Sequence, residues 1–427
     1  MKVLIVGGGG REHAIALKIK ENPEVTALYA APGNGGIAQI ATCLPFKATD
    51  VDGIVHWAAE NKVDFVIVAP DDPLCLGMVD ALAEQGIPAF GPRKNAAIIE
   101  GSKVFSKNLM KKYGIPTAAY ETFDDYDAAV KYLQTADMPI VVKADGLALG
   151  KGVLICPDRE SAVEAVASMM KEAKFGASGA RVVIEEFLTG PEVSVLAFTD
   201  GKTVKPMVSS MDHKRALDHD EGLNTGGMGT IAPNPCYTPE LARRCMDEIF
   251  LPTIAAMNAE GRTFTGCLYF GLMMTPKGPK VIEYNCRFGD PETQVVLPLL
   301  KSDLLTIMRA TVDGTLADTP VEFASGAACC VVLASGGYPV SYKSGYPISG
   351  LDEAGENATV FHAGTKLVDG QIVTAGGRVL GVTATADTLE AAIDKAYQAA
   401  DKITFTNMHM RRDIGQRALA SRKESHS

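Results

Sequence analysis

The sequence lacks the features that define several large classes of protein. Its best apolar run, Ala327 to Ala334, is as long as a strand and far below the ~18 residues of a membrane span. The first residues run into glycines without a signal-peptide pattern. The nine cysteines contain no C-x-x-C pair. We therefore expect reduced thiols, a cytoplasmic protein and no membrane partner.

Charge and motif composition exclude further classes. The 41 Lys+Arg and 51 Asp+Glu residues give a net charge of −10, which argues against nonspecific nucleic-acid binding but permits a local basic pocket for small anions. No Gly-x-Ser-x-Gly elbow supports a serine hydrolase. Asp212, His213 and His219 lack the spacing of a zinc site. At about 150 residues per domain, the 427 residues predict about three domains.

The order of predicted elements indicates a mixed fold, α/β at the start and α+β afterwards. Strands alternate with helices up to about residue 91, which predicts a parallel sheet with its ligand crevice at the carboxyl ends of the strands. From residue 140 onwards the pattern favours an α+β nucleotide-binding unit. The predicted strands are 2–6, 25–30, 64–69, 87–90, 140–144, 153–156, 182–187, 193–198, 267–275, 280–285, 327–334, 359–361 and 378–385. The predicted helices are 11–20, 51–61, 77–85, 161–174, 238–260 and 389–400.

Four glycines, Gly7 to Gly10, lie between the first strand and the first helix. A helix N-terminus favours an anion, so the turn could bind a phosphate or carboxylate of a small substrate. A dinucleotide fingerprint requires glycine where this chain has Glu12, and no acid ends the second strand. A tight turn without a ligand also remains open.

A second glycine-rich stretch, Val142 to Val153, lies between two predicted strands. It is one residue shorter than a P-loop, and Gly152 stands where Ser or Thr would bind Mg²⁺. A flexible glycine hairpin can cover a triphosphate while Lys143 neutralises its charge. The alternative is a plain β-turn with solvated lysines. The acids of Glu185-Glu186-Phe187-Leu188 and Glu192 could bind an adenosine, or could be ordinary surface acids.

Oxygen ligands on one strand indicate a metal site. Strand alternation places Glu283 and Asn285 on one face, and Mg²⁺ binds few protein oxygens when phosphates and water complete its shell. Arg287 follows on the same side and could stabilise phosphoryl charge. A solvated polar edge is the alternative. The polar loop from Asp212 to Gly229 is either a surface excursion or an active-site segment.

The motifs in their order resemble the phosphoribosylamine–glycine ligases, also called glycinamide ribonucleotide synthetases, of the ATP-grasp superfamily. The resemblance covers residues 3 to about 417. The motifs that carry it are Glu100-Gly101-Ser102-Lys103, Val142 to Val153, Asn224 to Gly229, Glu283 to Glu292, Ser335 to Pro339, Phe361 to Thr365, Gly376 to Leu380 and Arg412 to Gly415.

The resemblance implies an ATP-grasp enzyme with three domains. These are a Rossmann-like parallel-sheet domain at 1–101, an ATP-grasp domain at 102–325 with a lid at about 119–192, and a small α+β domain at 326–427. It implies ATP-dependent ligation of glycine to 5-phosphoribosylamine, through a glycyl phosphate, in purine biosynthesis. The implied cofactors are ATP and Mg²⁺ or Mn²⁺. We expect a monomer that binds neither nucleic acid nor membrane.

The resemblance also implies residue roles. The ATP-binding set is Lys103, Lys143, Gly146, Gly150, Lys151, Gly152, Glu185, Glu186, Phe187, Leu188 and Glu192. The metal ligands are Glu283 and Asn285. The residues around glycine and the transferring phosphate are Asp212, Lys214, Asn224, Thr225 and Arg287. The residues expected to meet phosphoribosylamine are Gly8, Gly9, Gly10, Asn34, His362 and Arg378.

Two departures from the family pattern affect these roles. Asp71 stands where the family has Glu, so a substrate contact there shifts or passes through water. The strand 267–275 contains no acid, although many ATP-grasp enzymes place a further metal ligand there, so a second metal would depend on phosphates or water.

Three other functions compete with the ligase. An NAD-linked oxidoreductase would use the opening sheet, a non-catalytic nucleotide-binding protein would lack turnover, and a sister ATP-grasp ligase would use another carboxylate.

Overall fold

The computed structural model describes residues 1–148 and 151–424. The opening segment forms the predicted parallel sheet, with five strands in the order β3-β2-β1-β4-β5, of which β3 was not predicted. Val3 to Val6 in β1 are fully buried because helices cover both faces of the sheet. The elements are β1 (Lys2–Gly7), α1 (Gly10–Lys20), β2 (Ala27–Pro32), β3 (Thr42–Cys43), α2 (Val51–Glu60), β4 (Phe65–Val68), α3 (Asp71–Cys75), α4 (Met78–Glu84), β5 (Ala89–Phe90) and α5 (Lys94–Gly101).

A smaller antiparallel sheet follows, in the order β6-β9-β7-β8. Its β7–β8 hairpin confirms the predicted one, with Lys143 opposite Val153. Leu133, Val166 and Ile184 belong to a hydrophobic core of its own. The elements are α6 (Lys103–Tyr113), β6 (Tyr120–Phe123), α7 (Tyr126–Leu133), β7 (Ile140–Ala144), β8 (Val153–Cys156), α8 (Arg159–Met170) and β9 (Val182–Glu186).

The central sheet is antiparallel, in the order β11-β10-β16-β17. Residues 238–260, predicted as one helix, form α9 and α10 with a π-helical segment, Met246–Phe250, between them. The elements are β10 (Glu192–Thr199), β11 (Val204–Pro206), β12 (Met211–Asp212), β13 (Arg215–Leu217), β14 (Glu221–Asn224), β15 (Gly229–Ala232), α9 (Pro239–Cys245), α10 (Leu251–Ala259), β16 (Gly266–Thr275), β17 (Gly278–Asn285), α11 (Thr293–Val296) and α12 (Leu304–Asp313).

The C-terminal sheet includes two strands, β12 and β15, that stand at the two ends of the polar loop. Its order is β12-β15-β18-β22-β19, and β23 also pairs with β18. The sequence pattern predicted no strand in that loop. The remaining elements are β18 (Ala327–Ser335), α13 (Leu351–Gly355), β19 (Thr359–His362), β20 (Thr365–Val368), β21 (Gln371–Thr374), β22 (Arg378–Ala386), α14 (Leu389–Ala400), β23 (Met408–His409) and α15 (Gln416–Glu424).

The parallel and central sheets share one hydrophobic core. Leu4 and Val68 of the first belong to the same buried cluster as Val195, Leu268 and Phe270 of the second. Each large aliphatic side chain fully buried there contributes about 1.5–3 kcal/mol. The common core holds the parallel and central sheets together. The small sheet β6-β9-β7-β8 instead packs against its helices in a separate core.

Candidate functional site

A cleft of about 1140 Å³ opens where the small antiparallel sheet, the central sheet, the polar loop and the C-terminal sheet meet. The residues that line the cleft come from several strands, helices and loops, and many of their side chains are polar or charged. The predicted site residues that line it are Asp71, Lys103, Lys143, Gly146, Lys151, Gly152, Glu185, Glu186, Phe187, Leu188, Glu192, Asp212, Lys214, Asn224, Thr225, Glu283, Asn285, Arg287 and Arg378. Gly150 lies outside the described residues. The lining, taken over residues 1–148 and 151–424, does not include Gly8, Gly9, Gly10, Asn34 or His362.

Two lysines and one glutamate form a buried charge cluster at one wall of the cleft. Glu185 contacts Lys143 Nζ at 2.5 Å and Lys107 Nζ at 2.6 Å, and all three side chains are at most 6% exposed. Burial alone would raise the pKa of Glu185, but the two ammonium groups outweigh it and hold that pKa below its usual range. Burial lowers the pKa of Lys107 to about 8, although Glu185 opposes this shift. The predicted adenosine residue Glu185 therefore holds Lys143 in place.

The glycine hairpin is fastened to the start of α6. Lys103 Nζ donates to the Gly146 carbonyl at 2.8 Å. Asp145 Oδ1 accepts from the Ser102 hydroxyl at 3.0 Å, and Asp145 Oδ2 accepts from Arg181 at 2.7 and 3.0 Å. Gly146 has a φ of +88°, and a Cβ there would lie 2.8 Å from a serine hydroxyl oxygen. The hairpin thus places Lys103 and Lys143 on the same side of the cleft.

Glu283 and Asn285 lie near the end of β17, on one face of the strand, and both line the cleft. Burial would raise the pKa of Glu283, but Lys214, Lys143 and other cations hold it below its usual range. Within residues 1–148 and 151–424 no group of three His, Cys, Asp or Glu side chains could hold a metal alone. A carboxylate and an amide oxygen fit an ion such as Mg²⁺ that also binds phosphate oxygens.

Arg287 is held by a buried glutamate that sequence reasoning did not assign. Its Nη2 lies 3.0 Å from Glu100 Oε1, while Glu100 Oε2 accepts the Cys286 N–H at 2.7 Å. Burial raises the pKa of Glu100 in spite of the Arg287 charge. Burial disfavours the Arg287 charge, yet Glu100 and Asp71 raise its pKa. The Nε–H of Arg287 is buried and donates to no described residue, so this side chain keeps a donor for an anion.

Asp212 and Lys214 both line the cleft and form an ion pair, with Lys214 Nζ and Asp212 Oδ2 3.2 Å apart. The Asp212 carboxylate is buried and also accepts its neighbour's N–H through Oδ1 at 2.7 Å. Burial, reinforced by Glu292, raises the pKa of Asp212 to about 7, and Lys214 opposes the shift. Glu292 accepts the Tyr269 hydroxyl at 3.1 Å. The arrangement places a carboxylate and an ammonium group side by side, where they can bind the amine and the carboxylate of a small substrate.

Arg378 lies at the end of the cleft nearest the C-terminal sheet. Its Nη1 donates to the Asp290 carbonyl at 2.9 Å, and its Nη2 lies 3.9 Å from Asp290 Oδ1. Gly226 allows the close approach, since a Cβ there would lie 2.8 Å from Arg378 Cζ. The Gly226 N–H donates to the Tyr338 hydroxyl at 3.1 Å. An arginine and a tyrosine thus form an anion-compatible end of the cleft.

The opening glycine turn is filled by protein groups. Glu12 folds back over it and accepts the Gly9 N–H at 2.8 Å, and a Cβ at Gly7 would collide with the same side chain. A Cβ at Gly10 would lie 2.5 Å from Gln294 Nε2. The Glu12 carboxylate occupies the space, and accepts the Gly9 N–H, that the phosphate of a dinucleotide would need. This counts against an NAD site.

Asn34 and His362 are engaged in tying the first sheet to the C-terminal sheet. Asn34 donates to the carbonyls of Gly8 at 3.0 Å and His362 at 2.7 Å, and its Oδ1 accepts two backbone N–H groups of its own turn. The His362 ring is buried, contacts Thr365 Oγ1 at 2.9 Å, and has its pKa lowered by burial to about 4. Both side chains hold the interface; a direct substrate contact from either stays a prediction.

Sequence reasoning missed several cleft residues whose roles depend on long-range contacts. These are Glu100, Lys107, Tyr269, Asp290, Glu292 and Tyr338. Glu100, Asp290, Glu292 and Tyr338 stand inside the quoted motifs, so their positions there were the available signal. Lys107 and Tyr269 carried no local signal.

Three family models match the chain in order. They are the N domain of phosphoribosylglycinamide synthetase at residues 1–100, its ATP-grasp (A) domain at 101–293, and its C domain at 328–417. Within residues 1–148 and 151–424, no helix is both long and apolar enough to cross a membrane.

Similar proteins of known name cover nearly the whole chain. A phosphoribosylamine–glycine ligase of Halalkalibacterium halodurans is 49% identical over 425 residues, which are 100% of this chain and 99% of that protein. Another, of Caldanaerobacter subterraneus subsp. tengcongensis, is 48% identical over 414 residues, 97% of this chain and 99% of that protein.

Solved structures agree with these relatives. A crystal structure of phosphoribosylamine–glycine ligase from Thermotoga maritima superposes with a TM-score of 0.86 at 35% identity, covering 97% of this chain and 100% of that one. Biotin carboxylase from Campylobacter jejuni is 15% identical with a TM-score of 0.75, covering 96% of this chain and 92% of that one, and shares the fold alone.

Proposed function

This chain belongs to the phosphoribosylglycinamide synthetase family, and we propose that it ligates glycine to 5-phosphoribosylamine with ATP in purine biosynthesis. The products are glycinamide ribonucleotide, ADP and phosphate. ATP-grasp enzymes in general use ATP with a divalent metal ion. The observation that carries the proposal is the cleft itself, where the charges of four cations (Lys103, Lys143, Lys214 and Arg287) all act on the carboxylate of Glu283.

The nucleotide is proposed to lie between the small antiparallel sheet and the central sheet. Glu186, Phe187, Leu188 and Glu192 line that part of the cleft and would surround the adenosine. Lys103 and Lys143 would contact the phosphates, under the hairpin that contains Gly146 and Gly152. Lys143 would then exchange its contact with Glu185 for a phosphate oxygen.

Glu283 and Asn285 would hold Mg²⁺ or Mn²⁺. When bound there, the ion neutralises phosphate charge and orients the phosphoryl group. The neighbouring strand β16 contains no Asp or Glu and so offers no further carboxylate. This favours a metal ion whose coordination is completed by phosphate oxygens.

Glycine must be activated before it can acylate an amine, because a carboxylate oxygen is a poor leaving group. Its carboxylate attacks the γ-phosphoryl of ATP, which gives glycyl phosphate and ADP; the ribosylamine nitrogen then attacks the carbonyl carbon and phosphate leaves. Arg287 would stabilise the phosphoryl charge. Lys214 and Asp212 would bind glycine, with Asn224 and Thr225 beside them, in a site that excludes water from the acyl phosphate.

Phosphoribosylamine is proposed to enter from the other side of the acyl group. Arg378 and Asp71 both line the cleft, and Arg378 offers a cation for the phosphate of this substrate. The sequence also assigned Gly8, Gly9, Gly10, Asn34 and His362 to this substrate; we propose that they shape the wall behind it.

We propose domain divisions near residues 101 and 325, with a lid at about 119–192, and a monomer that works in the cytoplasm. The separate core of the small sheet supports the lid. The nine free cysteines fit a reducing compartment.

The decisive experiment is phosphate release from ATP with each substrate omitted in turn. We expect release to require both glycine and phosphoribosylamine, and ¹⁸O from the glycine carboxylate to appear in the phosphate. Turnover that ignores either substrate, or unlabelled phosphate, contradicts the proposal. A panel of other amino acids distinguishes a sister ligase.

Glu283→Gln should lower kcat on the order of 100-fold, whereas the exposed control Glu322→Gln should not change it.

A further inference from the structure

The hairpin β13–β14 lies beside the cleft and pairs with no other strand in the described part of the chain. An isolated two-stranded hairpin is marginally stable in water, so contacts outside its ladder must hold it. Lys214 precedes the hairpin and Thr225 follows it. The Thr225 N–H and hydroxyl both donate to the Lys214 carbonyl, at 2.7 and 2.8 Å, and close its base. The position of the hairpin therefore sets the position of these two proposed substrate contacts.

The C-terminal segment, residues 408–417, supplies those outside contacts, and Arg411 is their centre. Its side chain is 1% exposed. Nη1 donates to the Arg215 carbonyl and to Asp220 Oδ1, both at 3.1 Å. Nε and Nη2 donate to the two oxygens of Asp413 at 2.8 and 2.9 Å, and Asp413 Oδ2 accepts the His219 N–H at 2.9 Å. One guanidinium thus joins β13 and the turn of the hairpin, and β14 is held through its pairing with β13.

The turn that Arg411 holds is strained. His219 and Asp220 have φ of 60° and 56°, and residues other than glycine keep such values only where surrounding contacts fix them. Asp218 accepts the Arg412 N–H at 2.8 Å, and Arg417 Nη1 lies 2.6 Å from Asp220 Oδ2. Both sides of the turn are tied to the C-terminal segment.

We propose that Arg411 is a positioning residue for the ligation reaction. It holds the hairpin, and through it Lys214, Asn224 and Thr225, against the part of the cleft proposed to receive glycine. The proposal rests on the proposed function for its kinetic consequence, but the contact between the C-terminal segment and the hairpin does not depend on that function.

The kinetic test compares two neighbouring arginines. Arg411→Lys keeps the positive charge but cannot bridge a carbonyl and two carboxylates at once. We expect KM for glycine to rise about tenfold or more, with KM for ATP unchanged within about twofold. The control is Arg412→Lys, because Arg412 is 57% exposed and pairs with Asp401. A uniform fall in kcat with unchanged KM values, or equal behaviour of the two variants, overturns the proposal.

Hydrogen exchange gives a readout without turnover. In the full-length protein, Arg411→Lys should lose amide protection in residues 215–224, while the small antiparallel sheet keeps its own. If that variant does not fold, Asp220→Asn, which removes the partner at the exposed end of the hairpin, should give the same local loss. Unchanged protection of residues 215–224 refutes the positioning role. If ATP turnover needs neither glycine nor phosphoribosylamine, the proposed function fails. The exchange result still shows whether Arg411 holds the hairpin against the C-terminal segment.

Discussion

Replacement of Glu185 by Gln should destabilise the protein strongly, although it removes only one negative charge and hardly changes the size of the side chain. The change leaves Lys107 and Lys143 buried opposite a neutral amide, and removing one partner of a buried ion pair costs about 3–5 kcal/mol. Burial already lowers the pKa of Lys107 to about 8, so losing its proton at pH 7 costs at most about 1.4 kcal/mol. This cost is the most that Lys107 can contribute, so we expect a total loss near or just below the lower end of that range, about 2–3 kcal/mol.

The loss converts to a fall in Tm of about 4–12 °C for a unit of this size. The control is Glu186→Gln, the next residue along β9, which is exposed and lies 3.9 Å from Lys280. A surface pair of that kind contributes at most about 1 kcal/mol. Thermal unfolding followed by calorimetry compares the two variants with the unaltered protein. Equal Tm values for both would refute the assignment of Glu185 as the anion that compensates two buried lysines.

The pH dependence of the same variant provides a second check. The folded pKa of Lys107 lies below its ordinary value, so the unfolded chain binds more protons between the two, and stability rises with pH in that interval. In the unaltered protein this gain begins near pH 8. In Glu185→Gln the pKa is lower still, and the gain begins earlier. The difference in Tm should therefore narrow as the pH rises from about 6 to about 8.

Two other predictions address the metal pair and the interface. Gly271→Ala would place a Cβ 3.0 Å from Glu283 Cγ, so the Mg²⁺ concentration for half-maximal ATP turnover should rise about tenfold; Gly355→Ala, which meets no atom within 4 Å, is the control, and an unchanged requirement would count against the metal assignment. Burial lowers the pKa of His362 to about 4, so the unfolded chain binds more protons below the ordinary value, and about 2 kcal/mol of stability is lost between pH 6.5 and 5. His362→Gln should remove that part of the acid sensitivity in urea unfolding, and the exposed His56→Gln should not; identical slopes would show that His362 already titrates normally.

The fold was predictable where the sequence repeats a local pattern. Short apolar runs such as Leu4 to Val6 and Val66 to Val68 predict buried parallel strands because helices cover both faces. The β7–β8 hairpin followed from two apolar strands around glycines. The polar loop gave no such signal, since β15 at its end lies between β12 and β18, and β18 comes about 100 residues later.

The candidate site was predictable where residues stand two apart on one strand, as Glu283 and Asn285 do. The position of Lys107 depends on α6 meeting β9, and that of Glu100 depends on α5 meeting the end of β17, so neither could be read from spacing. Asn34, whose substrate contact stays a prediction, shows a role that its local sequence did not indicate. A polar side chain in a turn beside glycines suggests a ligand contact, yet its donors and acceptors are used by neighbouring backbone.

The two strands at the ends of the polar loop, which join the C-terminal sheet, have a consequence for synthesis on the ribosome. Ile231 pairs with Cys329, so at about 5–20 residues per second β15 waits roughly 5–20 s for its partner to emerge. Over that interval the nascent chain presents an unpaired apolar edge, which is a template for association between chains. Substitutions that weaken β18 should therefore reduce the yield of newly made protein more than they reduce the stability of protein already folded.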